Sequence, residues 1–162
     1  MAAIGHSSGF TIGEALSAED VAACRELFVE YQQGLAVSLC FQDFDRELAT
    51  LPGAYSRPRG RLLVARVAGM PAACAALRPW GERDGEMKRL YVRPPFRGMG
   101  LARALAEIVI DEARALGYAT LKLDTLPQMA AAQALYASLG FRDVPAYNDN
   151  PVDGTRFLAL EL

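Results

Sequence analysis

The spacing of apolar positions changes several times along the chain, and each change marks an element. Residues 10–15 alternate, with Phe10 and Ile12 on one face, which predicts a short first strand. From Ser17 the period becomes helical: Val21, Cys24, Leu27, Phe28 and Tyr31 recur three and four apart. Ser17 is the natural cap, with Asp20 in the capping-box position, and Gln32-Gln33-Gly34 ends the helix. The run 35–40 is apolar and ambiguous, 43–48 reads as a second short helix closed by Leu51-Pro52-Gly53, and 54–60 is a loop. Two strand-like runs, 61–68 and 71–77, flank Gly69-Met70 and predict a hairpin. Residues 80–85 make a turn and 86–92 a strand, which Pro94-Pro95 prevents from continuing.

The second half has the clearer signal. Over 101–116 the apolar residues Leu101, Ala104, Leu105, Ile108, Val109, Ala113 and Leu116 form one stripe, opposite Arg103, Glu107, Asp111 and Arg114. Gly117 stops this helix, and 118–124 is a strand with Leu121 and Leu123 inward. Strand, helix, strand implies a parallel, right-handed crossover. A last helix begins near 125–128 and ends at Gly140, and 141–144 and 156–162 are strand signals joined by a polar turn. At 162 residues one domain is expected over 10–162, after a small, polar lead of residues 1–9 that reads as disordered.

Between the strand at 86–92 and the long helix lies Arg97-Gly98-Met99-Gly100-Leu101-Ala102. The first amides of a helix have no intrahelical partner and sit at its positive end, so strand, glycine loop and helix together suit an anion. Gly98 and Gly100 permit positive φ and close approach of backbone, and Arg97 can add a charge-assisted hydrogen bond. A dinucleotide fingerprint is spoiled by Arg103 in its third position, and the Gly-Lys-Ser/Thr ending of a Walker loop is missing. The hexapeptide resembles the pyrophosphate loop of the GCN5-related N-acetyltransferase (GNAT) superfamily, Gln/Arg-x-x-Gly-x-Gly/Ala. So do its flanks, Glu86-Met87-Lys88-Arg89-Leu90-Tyr91-Val92 before it and Ala134-Leu135-Tyr136-Ala137-Ser138-Leu139-Gly140-Phe141 after it.

The resemblance covers nearly the whole chain. It implies an α/β fold of α+β type: a mixed, mostly antiparallel central sheet with helices on both faces, the acyl-CoA N-acyltransferase fold. It implies acetyl-CoA as co-substrate, held by the main chain of Leu90, Tyr91 and Val92 and by Arg97, Gly98, Met99, Gly100, Leu101 and Ala102. It makes Tyr136 the candidate general acid beside the coenzyme sulfur and Glu86 the candidate base; Asp124, at the C-terminal end of its own strand, is a rival base or a cap of the following turn. The strands at 86–92 and 118–124 are expected to splay apart. Lys88 and Arg89 read as a strand edge and a solvated face. Asp43, Asp45, Tyr55, Arg57, Arg78, Tyr147 and Asn148 are candidates for an acceptor wall. Dimerisation is common in the superfamily, so a homodimer fits.

Composition narrows the alternatives. A net charge of −2 argues against a nucleic-acid partner, and no apolar run approaches the roughly 20 residues of a membrane span. Without an export signal the expected location is cytoplasmic, and Cys24, Cys40 and Cys74 are expected as reduced, buried thiols. They have no metal-ligand spacing, so no metal is expected, and the single histidine, His6, leaves little material for a Ser-His or Cys-His pair. The leading expectation is acetyl transfer to a primary amine, on a small molecule, by direct attack in a ternary complex. A protein N-terminus or lysine as acceptor, a non-catalytic acyl-CoA-binding module and an ordinary nucleotide-binding enzyme stand as alternatives.

Overall fold

The computed structural model describes residues 3–7, 9–35, 38–39 and 43–162, with the side chains of 3, 6 and 7 set aside. The expectations for Cys40 and for the His6 side chain lie outside the described residues.

Eight strands form one sheet among these residues: β1 (Ala3–Ser7), β2 (Phe10–Glu14), β3 (Arg61–Val67), β4 (Met70–Trp80), β5 (Asp84–Val92), β6 (Thr120–Thr125), β7 (Arg142–Asp143) and β8 (Arg156–Glu161). Their spatial order is β1-β2-β3-β4-β5-β6-β8-β7. Every neighbouring pair is antiparallel except β5 and β6, which the crossover helix makes parallel. The helices are α1 (Ala18–Gly34), α2 (Phe44–Thr50), α3 (Leu101–Ala115) and α4 (Ala130–Ser138). Residues 3–7, expected within a disordered lead, instead pair antiparallel with β2 as strand β1. Main-chain pairing needs no apolar side chains, so small polar composition did not disclose it.

Side-chain alternation sorts the sheet into two faces. Leu62, Val64, Cys74 and Ala76 pack with Ala23, Cys24, Leu27 and Phe28 of α1 and Phe44 of α2. Leu63, Ala65, Ala73, Ala75 and Leu77 pack with Leu101, Leu105, Val109 and Ala113 of α3. The alanines of β4 leave room for helices on both faces at the middle of the sheet. Full burial of a leucine such as Leu105 contributes about 1.5–3 kcal/mol, so the α3 stripe suffices to fix that helix on the sheet. Helix α1 starts as expected, the Ser17 hydroxyl accepting from the Asp20 amide at 3.1 Å. The hairpin turn places Ala68 and Gly69 at φ +50° and +80°, the left-handed pair that matches strand twist.

Two irregularities of β5 position the site. Its register with β6 runs only through Asp84–Thr120, Gly85–Leu121 and Glu86–Lys122, after which the two strands part. Against β4 the register slips: Cys74 stands opposite Tyr91 and Ala76 opposite Lys88, so Arg89 and Leu90 share one place. That is a β-bulge, and Arg89 adopts φ +59° within it.

Candidate active site

The loop before α3 has the conformation an anion site needs. Gly98 and Gly100 lie at φ +84° and +85°, a region side chains rarely adopt, and open space surrounds the position of a Cβ at both. Gly100 is the N-cap; its carbonyl accepts the first intrahelical bond, from Ala104, at 3.1 Å. The amides just before Ala104 therefore have no partner within the helix. Arg97 Nε donates to the Val92 carbonyl at 3.1 Å, tying the loop back to the end of β5.

These groups border a groove of about 410 Å³. Leu90, Tyr91, Val92, Arg97, Gly98, Gly100, Leu101 and Ala102 line it, facing Ala131, Ala132 and Leu135 of α4. Met99, the remaining candidate, is 39% exposed and outside the lining. The Arg93 amide donates to Ala72 at 2.9 Å, so by strand alternation the amide of Val92 points to the opposite edge, the one β6 has left.

The groove shares Leu90 and Ala132 with a smaller cavity of about 40 Å³ in the splay between β5 and β6. Tyr136 lines this cavity and is 7% exposed, its ring edge-on to Phe141 at 5.7 Å. Burial pushes its phenol well above the ordinary value, so it stays protonated. Asp124 lines the same cavity; its Oδ2 accepts from Asn148 Nδ2 at 3.1 Å and from Asn150 Nδ2 at 3.2 Å. Burial pushes the Asp124 carboxyl up, but the Lys88 charge and the two amide donors outweigh it and hold the group below the usual range.

Glu86 is placed differently. It is fully buried and outside the cavity lining. Its Oε1 accepts from Arg78 Nε at 2.7 Å and its Oε2 from the Tyr147 hydroxyl at 2.6 Å. Both oxygens are thus engaged, and Glu86 fixes the turn that carries Tyr147.

The cavity also shares Lys88, Arg89 and Asn150 with a groove of about 220 Å³ on the far side, walled by Glu47, Arg78, Trp80, Asn148 and Asp149. A neighbouring recess of about 260 Å³ shares Glu47 and Arg78 and adds Asp43 and Tyr55. Of the expected acceptor-wall candidates, Asp43, Tyr55, Arg78 and Asn148 line these recesses. Tyr147 instead braces Glu86, Arg57 pairs with Glu14, and Asp45 is exposed outside both linings. Lys88 and Arg89, expected on a solvated face, are 5% and 4% exposed. Their strand lies mid-sheet between β4 and β6, with a helix layer over each face. Burial lowers the pKa of Lys88, with Glu86 opposing the shift. Glu47, Trp80 and Asn150 were missed; a charged pair inside a central strand was the signal that could have led to Glu47.

Shared lining residues thus link the glycine-loop groove, the small cavity at the splay and the polar groove beside α2. The chain matches the acetyltransferase (GNAT) family over residues 20–141, and it belongs to that family. An uncharacterized N-acetyltransferase of Schizosaccharomyces pombe is 37% identical over 157 residues, covering 96% of each chain. The IAA acetyltransferase of Azospirillum brasilense is 38% identical over 119 residues, 67% of this chain and 78% of its own. Among solved structures, yncA of Salmonella typhimurium, with its cofactor acetyl-CoA, superposes with a TM-score of 0.73 at 26% identity, covering 94% of this chain and 93% of its own. The protein is an N-acetyltransferase that uses acetyl-CoA. Among the described residues no cluster of side chains could hold a metal, and no helix is long and apolar enough to cross a membrane.

Proposed function

We propose that the protein transfers acetyl from acetyl-CoA to a primary amine on a small molecule, by direct attack with both substrates bound. The observation that carries this reading is that the cavity at the β5–β6 splay shares lining residues with both grooves, so that donor and acceptor can meet there. The amides at the start of α3 anchor the coenzyme's diphosphate. The backbone of Leu90, Tyr91 and Val92 aligns the pantetheine arm, and an amide on the open edge of β5 polarises the thioester carbonyl. Tyr136, held protonated by burial, donates to the departing thiolate.

Two carboxylates compete for the amine. Glu86 has both oxygens occupied by Arg78 and Tyr147. Asp124 faces the cavity, accepting from Asn148 and Asn150 on Oδ2, with the Lys88 charge acting on it as well. We therefore assign the incoming ammonium to Asp124 and the bracing of the acceptor wall to Glu86. A carboxylate held below its ordinary range orients the ammonium rather than taking its proton, which passes along water to bulk solvent before the free amine attacks. The recesses of about 220 and 260 Å³ suit a small acceptor.

The test is transfer of labelled acetyl from acetyl-CoA to a panel of small amines, with amino-terminal and lysine peptides alongside. Labelled small-amine product is expected. Transfer confined to the peptides would overturn the small-molecule reading, and tight CoA binding with no transfer to any amine would overturn catalysis.

A further inference from the structure

Arg89 stands where the cavity at the splay meets the acceptor-side groove. It sits in the β5 bulge at φ +59°. Two other described residues besides glycine have positive φ, Asp43 beside α2 and Ala68 in a hairpin turn; neither lies inside a strand. A side chain in this conformation carries a steric penalty that glycine does not, so something must hold it there.

The holding contacts come from the acceptor side. Arg89 Nε donates to Glu47 Oε2 at 2.8 Å and Nη2 donates to Oε1 at 3.0 Å, a two-pronged pair with side chains 2% and 13% exposed. Glu47 belongs to α2, and the guanidinium lies 5.1 Å from the ring of Phe44 on the same helix and 5.9 Å from Tyr31 on α1. The Arg89 carbonyl accepts from the Cys74 thiol at 3.3 Å, which pins the bulge to β4. One residue later the donor groove begins, at Leu90. Arg89 itself lines the cavity and the acceptor groove but not the donor groove.

We propose that the Arg89–Glu47 pair is a positioning device that couples the two substrate sites. Docking of α2 through Glu47 holds Arg89 left-handed, and that backbone turn aims Leu90–Val92 at the coenzyme. Neither side chain then touches CoA, yet removing the pair while a side chain stays at position 89 weakens CoA binding. The inference rests on the reading of the large groove as the coenzyme site.

Two double variants isolate the backbone from the ion pair. Glu47→Ala with Arg89→Ala removes both charges and leaves a side chain at φ +59°. Glu47→Ala with Arg89→Gly removes the same charges but lets the bulge form freely. Neither leaves a buried charge unpaired. With CoA as the calorimetric probe, the alanine double variant is expected to bind about tenfold more weakly than the parent, and the glycine variant to stay within about threefold of it. Equal CoA affinity in the two variants would overturn the coupling, since packing alone does not distinguish alanine from glycine through φ. Amide exchange of Tyr91 and Arg93 without ligand gives a second readout: faster in the alanine variant if the proposal holds, equal in both if it does not. Failure of the parent protein to bind CoA would overturn the coenzyme-site reading instead, and the exchange comparison would still decide whether the pair holds the bulge.

Discussion

The donor groove and the acceptor mouth are built from different material. The polar groups of the donor groove are main chain, within residues 90–103: two glycines at positive φ, the free amides of one helix start and the open edge of one strand, facing an apolar wall of Ala131, Ala132 and Leu135. The acceptor mouth is side chain, and its contacts span the sequence: Glu47 to Arg89, Arg78 to Glu86, Glu86 to Tyr147, Asp124 to Asn148 and Asn150. A main-chain site recognises what every acyl-CoA shares, and it tolerates side-chain replacement wherever φ permits. A side-chain site can be retuned one ion pair at a time. This division suits an enzyme whose donor is constant and whose acceptor is particular.

The largest effect that sharpens the contrast is expected at Asp124. Asp124→Asn should lower kcat/KM for the amine about 10²-fold or more while CoA affinity stays within about twofold. Glu86→Gln is its counterpart: if Glu86 braces the wall, the loss falls mainly on acceptor KM. A fall confined to kcat would make Glu86 the base and break the assignment made above. Tyr136→Phe comes next, with kcat reduced about 10²-fold, CoA affinity preserved and acceptor KM little changed.

Smaller effects probe the donor side. Gly100→Ala places a side chain at φ +85° in the groove and should weaken CoA about tenfold, with Tm lowered by only a few degrees. The pH profile separates the groups. Tyr136 is held above its ordinary pKa of about 10 and Asp124 below its ordinary 3.8, so neither changes charge between about pH 5 and 9. The kcat/KM of the amine should therefore rise with pH across that range as the acceptor deprotonates; a falling limb below pH 9 would contradict the protonated state of Tyr136. Asp124 also links to stability. Its depressed folded-state pKa contributes stability present above the unfolded value of about 4, lost as pH falls through the folded pKa. The smallest effect concerns thiols: burial pushes Cys24 up to about 12 and raises Cys74 well above its ordinary value, so native-state alkylation mapped by mass should leave both unlabelled.

The same division explains what the sequence disclosed. Loop and helix start lie within six consecutive residues, and glycine periodicity together with the α3 stripe reveals them without tertiary information. Leu90, Tyr91 and Val92 came from the family resemblance alone, and they line the groove beside the glycine loop. Met99 has the right position in the motif but lies outside the groove lining, its side-chain end beside Gly9. Tyr136 came from its local motif and does reach the cavity. For Glu86 the local motif discloses nothing of the partners that occupy its oxygens, which are 8 and 61 residues away. Arg89 was misread for the same reason, its partner lying 42 residues back on α2. Strand β1 went unseen because its pairing is main chain and its composition resembles a tail.

The most direct measurement is a structure of the protein with CoA bound. The diphosphate should lie within hydrogen-bond distance of the amides between Gly98 and Arg103, with the pantetheine arm along Leu90–Val92 and the sulfur beside the Tyr136 hydroxyl. A diphosphate seated away from the start of α3, or a sulfur outside the β5–β6 splay, would contradict it.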